Sequence, residues 1–150
     1  MSERPTYVSE EDLNNQALVM RYVREQWDIT NDSPPDIYAP QDHKIIFRGE
    51  HVATAEVKCR MNSLSLYPYY KISRSKVVAG LRRAYDESKS FLLIVRWEEG
   101  IFFHICELID ISPERTEPGG RVDRDDPLDT GEMSMIPNHA FARVTNEKQR

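Results

Sequence analysis

Three residues with catalytic potential lie close together in the first half of the chain. Glu56 and Lys58 are two positions apart in a segment of alternating character, and Asp42 precedes them. Strand side chains alternate between faces, so Glu56 and Lys58 share a face if this segment is a strand. Carboxylate oxygens are the ligands that Mg²⁺ prefers, and a neighbouring lysine can hold an attacking water. The pattern predicts a Mg²⁺ or Mn²⁺ site for phosphodiester hydrolysis, with the Val57 carbonyl as a further ligand.

The elements that must position these residues form a predicted β-hairpin. Residues 44–48 are β-branched and aromatic, Gly49-Glu50 supplies a turn, and residues 52–59 form the second arm. On that arm one face carries Ala53, Ala55, Val57 and Cys59, and the other carries Thr54, Glu56, Lys58 and Arg60. The small side chains on the first face predict close packing of a helix.

The register of this hairpin decides whether the site exists. If residues 48–50 are unpaired, Phe47 pairs with His51 and Asp42 pairs with Glu56. Their Cβ atoms would then be about 5 Å apart. A two-residue turn would instead place Asp42 opposite Val57, on the other face of the sheet.

The triplet Glu56-Val57-Lys58 has a second interpretation, a surface salt bridge on a half-exposed strand. The spacing alone is weak evidence, because the chain contains another such triplet, Glu87-Ser88-Lys89, at a predicted helix end. The setting of the first triplet favours the metal site: an upstream Asp, an alternating strand, then a basic helix leading to a buried strand.

The remaining patterns predict one α/β (α+β) domain with element order α-β-β-β-α-β-β. Helices are expected at 10–26 and 73–88, and the first strand, near 27–30, is weak or absent. Residues 91–97 are almost continuously apolar, which is typical of a strand buried on both faces and parallel to the strand before the second helix. Residues 101–108 are a predicted strand, 61–70 and 112–131 are predicted to be irregular, and 132–137 is a predicted edge strand.

Composition and charge limit the classes of function. The chain has 150 residues, of which 39% are hydrophobic and 30% charged, with a net charge of −5. No apolar run is long enough to span a bilayer, no secretory signal is evident, and two cysteines form no disulfide framework. We therefore expect a cytoplasmic protein with no membrane partner. Cys59 and Cys106 lack metal-ligand spacing, and His104 is interpreted as a strand-face histidine.

Residues 57–85 contain seven basic and no acidic residues, so one face is expected to be positive. Arg60, Arg74 and Lys76 are the candidates for contact with nucleic-acid phosphates. A solvated helix face explains the same charges equally well. Tyr67, Tyr69 and Tyr70 are interleaved with basic residues and suit either base stacking or loop packing.

The run from Asp42 to Arg60, the helix opened by Ile72-Ser73-Arg74-Ser75-Lys76 and the strand pair 91–108 resemble the PD-(D/E)XK nuclease superfamily. The resemblance covers about residues 10–108 and leaves 109–150 as an acidic loop and C-terminal extension. It implies a restriction-endonuclease-like core, in which a mixed central sheet is flanked by helices. It also implies that Asp42 and Glu56 bind metal and that Lys58 is the catalytic lysine.

The chain departs from that superfamily in its accessory residues. Members often have a Glu on the first helix, where this chain has Gln16, and Glu25 is an acidic substitute near the helix end. Gln41 rather than proline precedes Asp42, so Asp36, which follows Pro35, is a rival for the role of Asp42.

We therefore expect a small stand-alone nuclease, similar to those of phages and bacteria, acting on DNA in a bacterial cell or phage-infected host. A homodimer is one expectation, since many such nucleases cut two strands. The alternative is a catalytically inactive relative that acts as a nucleic-acid-binding or protein-interaction module.

Overall fold

The structure is a computed structural model that describes residues 10–34, 42–118 and 131–145. These residues form two α-helices and nine strands. In chain order they are α1 Glu10–Gln26, β1 Thr30–Asp32, β2 Asp42–Phe47, β3 Glu50–Cys59, β4 Tyr69–Ser73, α2 Arg74–Glu87, β5 Ser90–Trp97, β6 Gly100–Ile105, β7 Thr116–Pro118, β8 Glu132–Pro137 and β9 Ala142–Arg143. No helix among the described residues is long and apolar enough to cross a membrane.

Helix α1 packs on β3 as the small side chains of that strand predict. Its first turn is acidic, which favours a helix N-terminus, and its buried residues recur at helical spacing. Val19, Met20 and Val23 join one core cluster with Ala53 and Ala55 of β3. The predicted helix at 10–26 is confirmed, and so is its close approach to the strand.

The main sheet is mixed and has the strand order β1-β2-β3-β5-β6-β9. Strand β3 is parallel to β5, whereas the other pairs are antiparallel. On β5, Leu92 and Ile94 face the α1 core, and Leu93 and Val95 face the α2 core. The buried strand and its parallel pairing with β3 are therefore confirmed, and α1 and α2 lie on opposite faces of the sheet.

A second sheet, with the order β4-β8-β7, was not expected. Strand β4 lies partly in the segment predicted to be irregular, and β8, predicted as an edge strand, is the middle strand of this sheet. Strand β6 ends at Ile105 instead of residue 108, because a 3-10 turn at Leu108–Ile111 follows. The predicted loop at 112–131 includes β7, and its residues 119–130 lie outside the described part of the chain.

Helix α2 comes unusually close to β5 at Gly80. A Cβ atom at that position would meet ring atoms of Phe91 at 2.5 to 2.6 Å. The absence of a side chain therefore lets the helix pack directly on the ring. This contact sets the height of α2 above the sheet face that carries Glu56 and Lys58.

Candidate active site

The register of the β2–β3 hairpin depends on a bulge as well as a turn. Phe47 pairs with Glu50, so the turn has two residues, Arg48 and Gly49, with φ of 50° and 81°. Positive φ at both positions is typical of the type I′ turn. Continued without interruption, this register would place Asp42 opposite Ala55. The turn is therefore neither the three-residue loop at 48–50 nor the predicted turn at Gly49-Glu50.

A β-bulge shifts the pairing of β2 and β3 by one residue. Ile46 pairs with His51 but Ile45 pairs with Ala53, so Val52 is an extra residue on β3. Beyond it, Asp42 pairs directly with Glu56. The two carboxylates consequently lie on neighbouring strands and on the same face, which is the pairing that a three-residue loop would also have produced.

Glu56 is the centre of a buried cluster of charges. It is 5% exposed, so the Glu56–Lys58 salt bridge considered from the sequence is present but buried rather than on the surface. Lys58 Nζ lies 3.5 Å and Lys76 Nζ lies 3.4 Å from Glu56 Oε1. Lys76 is on α2, so the helix and the strand converge on one carboxylate oxygen.

Asp42 has its own cationic partner. Arg83, which is on α2, donates a short hydrogen bond from Nη1 to Asp42 Oδ2. Lys76 and Arg83 are seven positions apart, which places them on the same side of the helix two turns apart. The sequence pointed to Lys76 only as a phosphate contact and did not single out Arg83.

Burial changes the proton affinity of both central groups. Burial raises the pKa of Glu56, Lys58 and Lys76 oppose the rise, and Asp42 adds to it through its charge and a hydrogen bond. Burial also lowers the pKa of Lys58, while Glu56 opposes the fall. Two carboxyl groups this close are most stable with a cation or proton between them.

The donor set fits a divalent metal ion. Asp42 and Glu56 supply paired carboxylate oxygens, which are hard ligands suited to Mg²⁺ or Mn²⁺. In this structure Lys58, Lys76 and Arg83 balance their charge. A metal ion bound by the pair would free Lys58 and Lys76 to face a phosphate, while Arg83 would keep its hydrogen bond to Asp42.

Arg60 and Arg74, the other two residues predicted to contact phosphate, already contact other groups of the protein. The Arg60 guanidinium lies 5.0 Å from the centroid of the Tyr70 ring, and its Nη2 donates to the Tyr70 hydroxyl over 3.4 Å. Arg74 Nε donates to the Ile111 carbonyl over 3.1 Å. Arg74 thus anchors the turn after β6, whereas Lys76 joins the carboxylate cluster.

Gln16 and Glu25 do not join that cluster. The buried Gln16 places Oε1 2.8 Å from His43 Nε2, and His43 follows Asp42 on β2, so it faces the opposite side of the sheet. Glu25 is exposed and pairs with Arg21. Asp36 lies outside the described residues. We therefore do not retain Gln16 or Glu25 as contacts of the candidate metal.

A second polar cluster lies under the 3-10 turn at Leu108–Ile111. His104, Cys106 and Asp110 bring potential ligand atoms within 4.8 Å of one another, which their sequence spacing did not indicate. Asp110 is fully buried and already bonded, since His104 Nε2 lies 2.8 Å away and Arg115 donates over 2.7 Å. Although burial acts in the opposite direction, these hydrogen bonds and one from Glu107 N hold the pKa of Asp110 below its usual range. The cluster serves to fasten the turn to the sheet.

The fold and the hairpin together define a restriction-endonuclease-like protein, with a mixed sheet between helices and an Asp and a Glu-x-Lys triplet on one face. Its sequence agrees over almost the whole length. A family model described as "Phage putative PDDEXK endonuclease" matches residues 2–144, and the chain belongs to this family of the PD-(D/E)XK superfamily. No curated protein and no solved structure shows significant similarity to the chain. Nucleases of this superfamily typically use divalent metals.

Proposed function

We propose that this protein is a metal-dependent nuclease that hydrolyses phosphodiester bonds of nucleic acid, with DNA as the expected substrate. The observation that carries the proposal is the direct pairing of Asp42 with Glu56, with Lys58 on the same face. Action on DNA would place it in the cytoplasm of a bacterial cell or phage-infected host. Cleavage of both strands of a duplex would require a homodimer or two successive cuts.

Each residue of the site has a distinct task in this proposal. Asp42, Glu56 and the Val57 carbonyl hold the metal ion, which when bound polarises the phosphoryl oxygen and lowers the pKa of a coordinated water. Lys58 orients the attacking water and offsets negative charge at the reacting phosphate. Lys76, which contacts Glu56 from α2, binds a phosphate oxygen of the DNA backbone, whereas Arg83 orients Asp42 as a metal ligand.

The experiment that tests the proposal is incubation of the purified protein with labelled single- and double-stranded DNA and RNA. Cleavage is expected with Mg²⁺ or Mn²⁺ and not with EDTA. It is also expected to fail with Ca²⁺, which fills an oxygen-ligand site but activates water poorly. Intact substrates under every metal condition would overturn the proposal.

Arg83 provides a sharper test of the site because its neighbour Arg82 is a matched control. Arg83→Ala removes the hydrogen bond to Asp42 and is expected to lower the cleavage rate by about 10- to 100-fold, the usual effect of losing a residue that orients a metal ligand. It should also raise the metal concentration needed for half-maximal rate. Arg82 is exposed on the same helix, and Arg82→Ala should leave both quantities close to wild type. Equal losses in the two variants would contradict the assignment of Arg83.

A second candidate function is binding of nucleic acid without turnover. It is favoured by the engagement of Gln16 with His43 and by the three cations that already balance the carboxylate pair. Such a protein would bind nucleic acid with an affinity that falls steeply with salt but would never cut it. A protein-interaction module would show neither property.

A further inference from the structure

A pocket of about 300 Å³ opens next to Arg60, two positions beyond Lys58 in the sequence. Its lining combines four aromatic side chains with two cationic ones; the aromatic residues are Tyr67, Tyr69, Tyr70 and Trp97, and the cations are Arg60 and Lys71. This volume lies at the lower end of the range for small-molecule pockets, which suits one planar group. Flat aromatic walls next to cationic side chains are the features by which proteins bind unpaired nucleobases.

Arg60 connects this pocket to the carboxylate cluster. It follows Lys58 by two positions and continues the pairing with β5 through a hydrogen bond from its N to Arg96 O at 2.8 Å, so its side chain shares the face of Glu56 and Lys58. The Arg60 guanidinium lies over the ring of Tyr70. A nucleotide chain held at the carboxylates could therefore place an adjacent base in the pocket.

The three tyrosines have different surroundings. Tyr70 is 4% exposed and packs edge-on against Trp97 and Phe141, so it belongs to the core and forms the floor. Tyr67 and Tyr69 are 61% and 41% exposed. Loop packing therefore accounts for Tyr70 but leaves two large aromatic side chains facing solvent.

The loop that carries Tyr67 is held in place from two sides. Asn138 Nδ2 donates to Leu64 O over 2.7 Å and also to Tyr67 O. Glu99 accepts a hydrogen bond from Ser63 Oγ at 2.5 Å and one from Leu64 N at 2.9 Å. A fixed backbone that exposes aromatic rings lowers the entropic cost of stacking a ligand on them.

We propose that this pocket binds an unpaired nucleobase of the strand being cut, next to the scissile phosphate. The preferred substrate is then single-stranded nucleic acid, or a frayed or flapped end, rather than an intact duplex. The inference rests on the proposed nuclease function and adds a substrate class to it. Tyr67 and Tyr69 supply the stacking surface, and Arg60, which stays over the Tyr70 ring, lies between the pocket and the carboxylates.

The test uses Lys58→Ala protein as a background, so that binding is measured without cleavage. Adding Tyr67→Ala and Tyr69→Ala should weaken binding of a labelled single-stranded oligonucleotide by about 10-fold or more, because stacking on an aromatic residue contributes strongly to single-strand affinity. Binding of the matching duplex should change by less than about 2-fold, since its bases stay stacked on one another. Tyr67→Phe should retain single-strand affinity because the ring remains.

Tyr85 is a matched control because it is 87% exposed and lies on α2 outside the pocket. Tyr85→Ala should leave both affinities unchanged. A single Tyr67→Ala variant, with its melting temperature measured, guards against loss of folding in the double variant. Suppose that the wild type cuts nucleic acid and that the folded tyrosine variants bind single strands as well as Tyr85→Ala does. This result would overturn the pocket proposal and leave the nuclease function intact. A wild type that neither binds nor cuts any nucleic acid would overturn both.

Discussion

Glu56→Gln should abolish cleavage and weaken metal binding together. The substitution keeps the size of the side chain but removes one of two paired carboxylates, and it leaves the buried Oε1 position next to Lys58 and Lys76 without its negative charge. We expect the cleavage rate to fall by at least about 10³-fold, within the range that acid–base and metal chemistry contribute to such reactions. Metal affinity, measured by calorimetry, should fall as well, and Asp42→Asn should behave in the same way.

The chain contains its own control for Glu56→Gln. Glu87 occupies the equivalent position in the second Glu-x-Lys triplet, but it is exposed at the end of α2. Glu87→Gln should therefore leave metal binding and cleavage unchanged. If Glu56→Gln cleaved DNA as well as Glu87→Gln did, the carboxylate pair could not be the active site.

Lys58→Ala should separate cleavage from binding. Lys58 Nζ lies 3.5 Å from Glu56, where it can orient water at a bound metal ion. Its removal should lower the cleavage rate by about 10²- to 10⁴-fold, the usual contribution of a positioned acid–base group. Lys76 and Arg83 remain beside the carboxylates, so affinity for nucleic acid in a gel shift should change by only a few-fold.

Lys44→Ala is the control for this variant, because Lys44 is an exposed lysine on the neighbouring strand β2. It removes the same charge without touching Glu56, and cleavage should stay close to wild type. A Lys58→Ala protein that loses binding and cleavage in parallel would instead make Lys58 a residue for substrate affinity. Retained cleavage would remove it from the mechanism.

Local periodicity in the sequence determined the strands of this protein and the faces on which their side chains lie. The alternation from Thr54 to Arg60 was enough to place Glu56 and Lys58 on one face, because side chains on a strand repeat every two residues whatever surrounds them. The continuous apolar run of β5 predicted a strand buried on both faces, and Ala53 and Ala55 predicted the close approach of α1. Each of these predictions depends on neighbours in the sequence, and each is confirmed in the structure.

Only the tertiary structure decided which side chains lie next to Glu56. The pairing of Asp42 with Glu56 depends on the bulge at Val52, which lies outside the turn residues and has no signal in the local sequence pattern. Lys76 and Arg83 reach the carboxylates because Gly80 packs on Phe91 and so fixes the height of α2 above the sheet. Tyr67 is held in the lining of the pocket because Asn138, distant in sequence, donates a hydrogen bond to the Tyr67 carbonyl. Such contacts join residues far apart along the chain, and a periodic pattern contains no information about them.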